Sequence, residues 1–148
     1  MKFVIQRVSS ASVKVDNNVV GEIKNGFLVL VGISDDDTKE IADKLVRKMT
    51  GLRIFSDEND KINLSLSDTN GSILMVSQFT LYANCKKGYR PSFIEAGSPD
   101  YASELFDYIV DKSKEVIPHV ETGIFGAKME VSLVNEGPFT IILDSSEL

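Results

Sequence analysis

The sequence predicts an α+β fold: a mostly antiparallel, barrel-like β-sheet core carrying two main α-helices. Three observations carry that expectation. Short apolar stretches alternate with polar residues through the first third of the chain, and two later segments place apolar residues at helical spacing behind capping residues. No internal repeat, low-complexity tract or Pro/Ser-rich linker divides the 148 residues, so residues 1–148 are expected to form one domain.

The elements follow in order. Val4, Gln6 and Val8 alternate with Phe3, Ile5 and Arg7, and Val13 and Val15 flank Lys14, which reads as strand. Asn17-Asn18 separates this run from Val19–Ile23 and predicts a hairpin. Asn25-Gly26 marks a further turn before Phe27–Ile33, an apolar run of the kind found in a central strand. Asp37, with Glu40 three residues on, resembles a capping box; Ile41, Ala42, Leu45, Val46 and Met49 give the helix its buried stripe, and Gly51 stops it. Next come a short run at Leu52–Phe55, a polar loop, the alternating Ile62-x-Leu64-x-Leu66, and a long expected strand, Ile73–Ala83. Ser98 caps the second helix and Pro99 takes its first position. Tyr101, Leu105, Ile109 and Val116 form its inner stripe, and it ends at Ile117, before Pro118. Met129–Val134 and Phe139–Leu143 supply the last strands.

Composition narrows the possible functions. Hydrophobic residues make up 43% and charged residues 26%, the balance of a globular chain rather than a disordered one. Sixteen basic against 22 acidic residues give a net charge of -6, which argues against a generally basic nucleic-acid binder and leaves room only for a local basic patch. One cysteine, Cys85, cannot close an internal disulfide, and one histidine, His119, makes no metal cluster, so neither a metal nor a cofactor is expected. The N-terminal segment alternates instead of running apolar, and no stretch approaches the roughly 18–20 apolar residues of a membrane helix. A soluble cytoplasmic protein is the expectation.

Most familiar catalytic patterns fail on their own terms. No G-x-S-x-G elbow accompanies any serine, and His119 follows a helix-ending proline, a poor start for a Ser–His–Asp triad. A Cys85–His119 dyad has no supporting signature. The acidic run beginning at Asp57 has Ile62 and Asp68 where a calcium loop needs Gly and Glu. Asp35-Asp36-Asp37 reads as negative charge at a helix N-terminus. Neither nucleotide-binding glycine fingerprint occurs.

Two polar interruptions of apolar strands remain. In Ser77-Gln78-Phe79-Thr80-Leu81, a regular strand would put Gln78 and Thr80 on one face and Ser77, Phe79 and Leu81 on the other. Polar groups at a sheet centre need partners, which marks either a hydrogen-bonded site or an edge-side polar face. Asn135-Glu136-Gly137-Pro138-Phe139-Thr140 reads on spacing alone as a tight turn.

These two segments make the chain resemble the D-aminoacyl-tRNA deacylases, also called D-tyrosyl-tRNA deacylases. Their hallmarks are S-Q-F-T-L, intact here as Ser77–Leu81, and N-x-G-P-V-T, here Asn135–Thr140 with Phe139 where the family usually has Val. Gln6-Arg7-Val8, Lys87-Gly88-Tyr89-Arg90-Pro91-Ser92-Phe93 and Thr122–Met129 also look like family blocks, so the resemblance runs end to end. It implies a homodimer whose active sites draw on both subunits, and hydrolysis of the ester joining a D-amino acid to the 3′ end of tRNA. By the same resemblance Gly137-Pro138 is a cis pair that reaches the partner's site, holds the substrate's α-amino group through backbone carbonyls and excludes an L side chain. Glycyl-tRNA passes the same test, and Arg7 supports the loop. Backbone N–H groups near Phe79 and Thr80 are expected to form an oxyanion hole, with Gln78 and Ser77 lining the aminoacyl-adenosine end. Thr80 is either nucleophile or positioning group; its segment supplies no general base, which favours positioning, with water attacking. Lys86, Lys87 and Arg90, with Tyr89 and Phe93 among them, are a candidate contact for the tRNA end or simply a solvated loop. Two other classes stay open: an editing hydrolase for an L-aminoacyl-tRNA, and a non-catalytic dimer that binds RNA ends.

Overall fold

Fourteen residues, Lys2–Val15, run as one strand, β1, and the sheet is built around it. The computed structural model describes residues 1–148 throughout. Along one edge β1 pairs antiparallel with β3 (Gly26–Gly32) over Lys2–Val8 and with β2 (Asn18–Ile23) over Ala11–Val15. Along the other edge it pairs antiparallel with β8 (Glu130–Asp144), from Lys2 to Lys14. Beyond β3 the sheet turns parallel: β3 pairs with β6 (Ser72–Ser77), and β6 with β7 (Val120–Thr122). Helix α1 (Lys39–Thr50) lies between β3 and β6 in the chain, and α2 (Pro99–Lys114) between β6 and β7. Parallel neighbours need such crossovers, so the two helices account for the two parallel pairings. A separate small hairpin joins β4 (Phe55–Ser56) to β5 (Ile62–Leu64).

Strands β3 and β6 read as continuous apolar runs because both of their faces are buried. On one face Phe27, Val29, Val31, Ile73 and Met75 join Phe3 and Ile5 beneath Leu45 and Met49 of α1 and Leu105 and Ile109 of α2. Each such fully buried side chain contributes roughly 1.5–3 kcal/mol of transfer free energy. On the other face Leu28, Leu74 and Val76 meet Val8, Ala11, Val13 and Ile23, with Met129, Val131 and Leu133 packed against them. The far half of β1 therefore curls over with β2 and β8, and the sheet approaches a barrel. The approach is close: a Cβ on Gly21 of β2 would sit 2.5 Å from the carbonyl oxygen of Thr122 on β7.

Several local expectations are corrected. The β1–β2 turn centres on Asp16 and Asn17, both at positive φ (50° and 65°), one residue earlier than the asparagine pair. Thr38, not Asp37, caps α1, its Oγ1 accepting the Ile41 N–H at 3.3 Å. Asp37 is buried instead, accepting from the Met1 ammonium at 2.6 Å and the Ser34 N–H at 2.7 Å. Asp35 reaches across to α2, accepting from the N–H (2.8 Å) and hydroxyl (3.1 Å) of Ser98, so the capping serine donates rather than accepts. Helix α2 ends at Lys114; Leu105 and Ile109 are buried, while Tyr101 and Val116 are exposed. The polar loop after β4 is an Asp57 turn, in which the N–H groups of Lys61 and Asn59 hold that carboxyl below its ordinary range. Among the helices, none is long and apolar enough to cross a membrane.

Candidate active site

Strand β6 stops at Ser77, well short of the expected Ala83. The Gln78 N–H donates to the Val31 carbonyl at 2.8 Å, and β3 ends one residue later at Gly32, so no strand remains to pair with. Phe79–Tyr82 tightens into a 3₁₀ turn. Gln78 and Thr80 consequently do not share a strand face, yet they meet: the Gln78 side-chain amide donates to the Thr80 hydroxyl oxygen.

The first residues of a 3₁₀ turn have no partner inside it for their N–H groups. Here the amides of Phe79 and Thr80 donate to no other group of the protein, backbone or side chain. Ser77, Gln78 and Phe79 line a cavity of about 690 Å³; Thr80, the next residue, is not among its walls. Val31 of β3 with Ile33 just beyond it, and Gly97, Ser98, Pro99 and Ala102 at the start of α2, form two further walls. Phe125, Gly126, Ala127, Met129 and Val131 close another, and Phe93 completes the rim with its ring 5.0 Å from that of Phe79, edge to face. Gly126 takes φ +77°, so the Phe125–Ala127 bend relies on a glycine conformation. Sequence reasoning placed Phe93 only in the candidate tRNA contact, not on the cavity, and gave no site role to Phe125, Met129 or the α2 N-terminus. The only signal was that some of them lie in the blocks ending at Phe93 and Met129.

Nothing hydrogen-bonded to Thr80 is a base, since its oxygen is met by a carboxamide N–H. The neighbouring Tyr82 phenol is pushed up to about 12, first by burial and then by the Asp37 charge, so it stays protonated at neutral pH. His119 engages Ser72 Oγ through Nδ1 at 3.0 Å and lies 3.8 Å from Glu121 through Nε2, on an exposed edge away from both principal cavities. It is not hydrogen-bonded to Cys85, which is exposed.

The second expected segment lies elsewhere and does not line the cavity. Gln6 pairs with Thr140 and Val8 with Asn135, so Glu136, Gly137, Pro138 and Phe139 all bulge out opposite the single residue Arg7. This is an excursion from one strand, not a turn between two, because both flanks stay on β1. The Gly137-Pro138 bond is cis, and both residues are exposed. Arg7 braces the excursion: Nε donates to the Glu136 carbonyl (3.1 Å), Nη1 to the Ile54 carbonyl (2.7 Å), and the guanidinium lies 4.7 Å from the Phe139 ring centre. Asn135 Oδ1 accepts the Phe139 N–H at 2.9 Å, and its Nδ2 donates to Thr140 Oγ1 at 3.1 Å. The third group, Lys86, Lys87 and Arg90, is exposed and in no ion pair. Within one chain the structure thus brings Ser77, Gln78, Phe79 and Thr80 together, Gly137, Pro138 and Arg7 together, and the three cations together, as separate groups.

Fold and site define a class: a curled mixed sheet with two helices, an apolar cavity and two free amides at its edge. The family model for D-Tyr-tRNA(Tyr) deacylase matches residues 4–144, and the chain belongs to that family of hydrolases acting on the ester bond of aminoacyl-tRNA. It is 53% identical over 148 residues to the D-aminoacyl-tRNA deacylase of Thermosipho africanus, covering 100% of this chain and 99% of the relative. It is 56% identical over 144 residues to that of Lactobacillus gasseri, covering 97% and 99%. Among solved structures it is similar to a c-Myc DNA Unwinding Element Binding Protein, with TM-score 0.92 and 38% identity over 97% of this chain and 98% of the other. A eukaryotic protein described as a "probable" D-amino acid tRNA deacylase shares the fold at TM-score 0.84 and 20% identity, covering 96% of this chain and 97% of the other.

Proposed function

We propose that residues 1–148 act as one unit that hydrolyses the ester of D-aminoacyl-tRNA, and of glycyl-tRNA, releasing the amino acid and free tRNA. The observation that carries this reading is the pair of successive unbonded amides, Phe79 in the cavity wall and Thr80 next to it in the chain. An ester carbonyl seated there develops negative charge on its oxygen as water attacks. Two preorganised N–H donors stabilise that charge, each worth on the order of 10²–10³ in rate. Ser77 and Gln78 line the aminoacyl-adenosine end, and Gln78 fixes the Thr80 hydroxyl as a positioning group. Water is the nucleophile, since no base adjoins Thr80.

Chirality is tested by Gly137 and Pro138, supplied by a second copy of the chain because they do not reach the cavity of their own. A homodimer is supported by β8, which pairs with β1 along one edge only and exposes Val134 and Ile142. The loop's backbone carbonyls hold the α-amino group and leave no room for an L side chain; a D side chain points elsewhere, and glycine has none. Arg7 holds the loop in place. Lys86, Lys87 and Arg90 receive the acceptor end, and the tRNA substrate makes the cytoplasm the working compartment.

The test is deacylation of matched D-tyrosyl-, L-tyrosyl- and glycyl-tRNA by the purified protein, with Thr80→Ala alongside. Cleavage of the D and glycyl esters with the L ester spared is the expected result, and a Thr80→Ala enzyme that keeps most of its kcat fits water attack. Loss of the L ester indicates an editing hydrolase for L-aminoacyl-tRNA. A second reading is a dimer that binds RNA ends without chemistry; the 38%-identical relative is named for binding a DNA element, which favours nucleic-acid binding of some kind. Inactivity on all three esters with tRNA still bound would select it.

A further inference from the structure

The segment Asn84–Ser92 leaves the site and returns to it. It starts two residues after the 3₁₀ turn that carries Thr80 and ends one residue before Phe93 on the cavity rim. Its base is closed by paired hydrogen bonds, Asn84 N–H to the Ser92 carbonyl (2.8 Å) and Ser92 N–H to the Asn84 carbonyl (2.9 Å). Asn84 Oδ1 also accepts the Lys86 N–H at 3.0 Å, and Gly88 reverses the chain at φ +63° in open space. On this tied base sits Tyr89, 105% exposed, with Lys86, Lys87 and Arg90 around it and no ion pair to any of them. No acidic residue lies between Asn84 and Phe93, in a chain whose net charge is -6.

A fully solvated aromatic contributes nothing to the core, and three unpaired cations repel one another. Together they suit a strand that offers a flat apolar face at each step and a negative charge between steps. Single-stranded RNA has that chemistry, and base stacking on an aromatic ring is indifferent to which base is present. Geometry agrees. Phe93 lies four positions after Tyr89, a span of at most about 14 Å. An RNA whose terminal aminoacyl-nucleoside occupies the cavity and that leaves across the Phe93 rim runs towards this loop.

We infer that Tyr89 is the stacking platform for an unpaired nucleotide upstream of the terminal adenosine, with Lys86, Lys87 and Arg90 taking the adjoining phosphates. The inference rests on the deacylase reading for the direction in which the RNA runs. It adds a specificity: the enzyme recognises an unpaired 3′ end, of any sequence, rather than the helix behind it.

The chain contains no tryptophan, so Tyr89→Trp places a single indole in the loop as a reporter. The probe is an uncharged RNA minihelix ending in an unpaired 3′ CCA overhang, compared with the same helix made blunt. The overhang should quench the indole and the blunt helix should not. Tyr89→Ala should weaken binding of the overhang about 5- to 150-fold, the range of one base–aromatic stack, and Tyr89→Phe should restore it. Equal affinity of wild type and Tyr89→Ala, or no binding by wild type, overturns the inference. RNA binding that depends on Tyr89 without ester cleavage keeps the inference and removes the deacylase reading. Ester cleavage with a KM indifferent to Tyr89→Ala does the reverse.

Discussion

The excursion Glu136–Phe139 is held from three sides, whereas the loop between Asn84 and Ser92 is tied only at its base. Arg7, itself anchored on the Ile54 carbonyl, binds the first through the Glu136 carbonyl and lies against its Phe139 ring, and Asn135 fastens it from within. A Cβ added at Gly137 would stand 3.0 Å from Arg7 Nη2, while one added at Gly88 would meet nothing within 4 Å. The difference follows from the task each loop is proposed to perform. Rejecting a mirror-image side chain depends on where atoms stand, so slack costs selectivity. Attracting a polyanion depends on charge and exposed ring surface, which act over several ångströms and tolerate motion.

Gly137→Ala should break the comparison most severely. At φ +129° an alanine is strained by about 1–3 kcal/mol, and its methyl displaces a guanidinium already committed to two carbonyls. We expect a loss on the order of 10²-fold in kcat/KM on D-tyrosyl-tRNA, because misplacement of about 1 Å has that effect. Near wild-type turnover would show that the loop is not held as tightly as its contacts indicate. Arg7→Ala comes next: urea denaturation should register a loss of about 1.5–3 kcal/mol, as for hydrogen bonds to a charged group, and L-tyrosyl-tRNA should begin to be cleaved. Arg7→Lys should not restore selectivity, since an ammonium lacks the forked geometry that spans the two carbonyls.

The unbraced loop should respond differently. Lys86→Glu with Lys87→Glu should raise KM for charged tRNA and leave the urea midpoint in place. The slope of log affinity against log salt should become shallower by about 1.4 or more, the equivalent of two single-strand phosphate contacts. An unchanged KM would sink the assignment of these lysines. The smallest effect belongs to Phe139→Val, which restores the residue more usual in the family pattern and removes the ring beneath Arg7. A cation–π contact of about 0.5–1 kcal/mol predicts a two- to fivefold fall in the D-over-L ratio of kcat/KM.

Much of this molecule is legible in its sequence, and the exceptions share a cause. Periodicity located both helices and most strands because each pattern is local. The strand expected to continue through Phe79-Thr80-Leu81-Tyr82 has residues suited to β structure, yet it ends at Ser77 because its neighbour β3 runs out at Gly32. Strand pairing is a long-range fact that propensity does not report. Asp37 looked like a helix cap and became instead the partner of an ammonium 36 residues away. In the site, the S-Q-F-T-L and G-P segments and the three cations were readable as residues. The brace from Arg7 to Ile54, the amides left free by the 3₁₀ turn, and the cavity walls at Phe125 and Met129 depend on distant elements meeting.

The ladder between β1 and β8 joins Lys2 to Asp144 and Lys14 to Glu130, pairs more than a hundred residues apart. During synthesis the first strand therefore leaves the ribosome long before the last one exists. At about 5–20 residues per second it waits on the order of ten seconds with one whole edge open. The excursion at Gly137 lies in that last strand, and Arg7, which holds it, lies in the first. A nascent chain can thus set the β3, β6 and α2 walls of the cavity before it possesses the loop that is proposed to discriminate, so selectivity is among the last properties the molecule acquires.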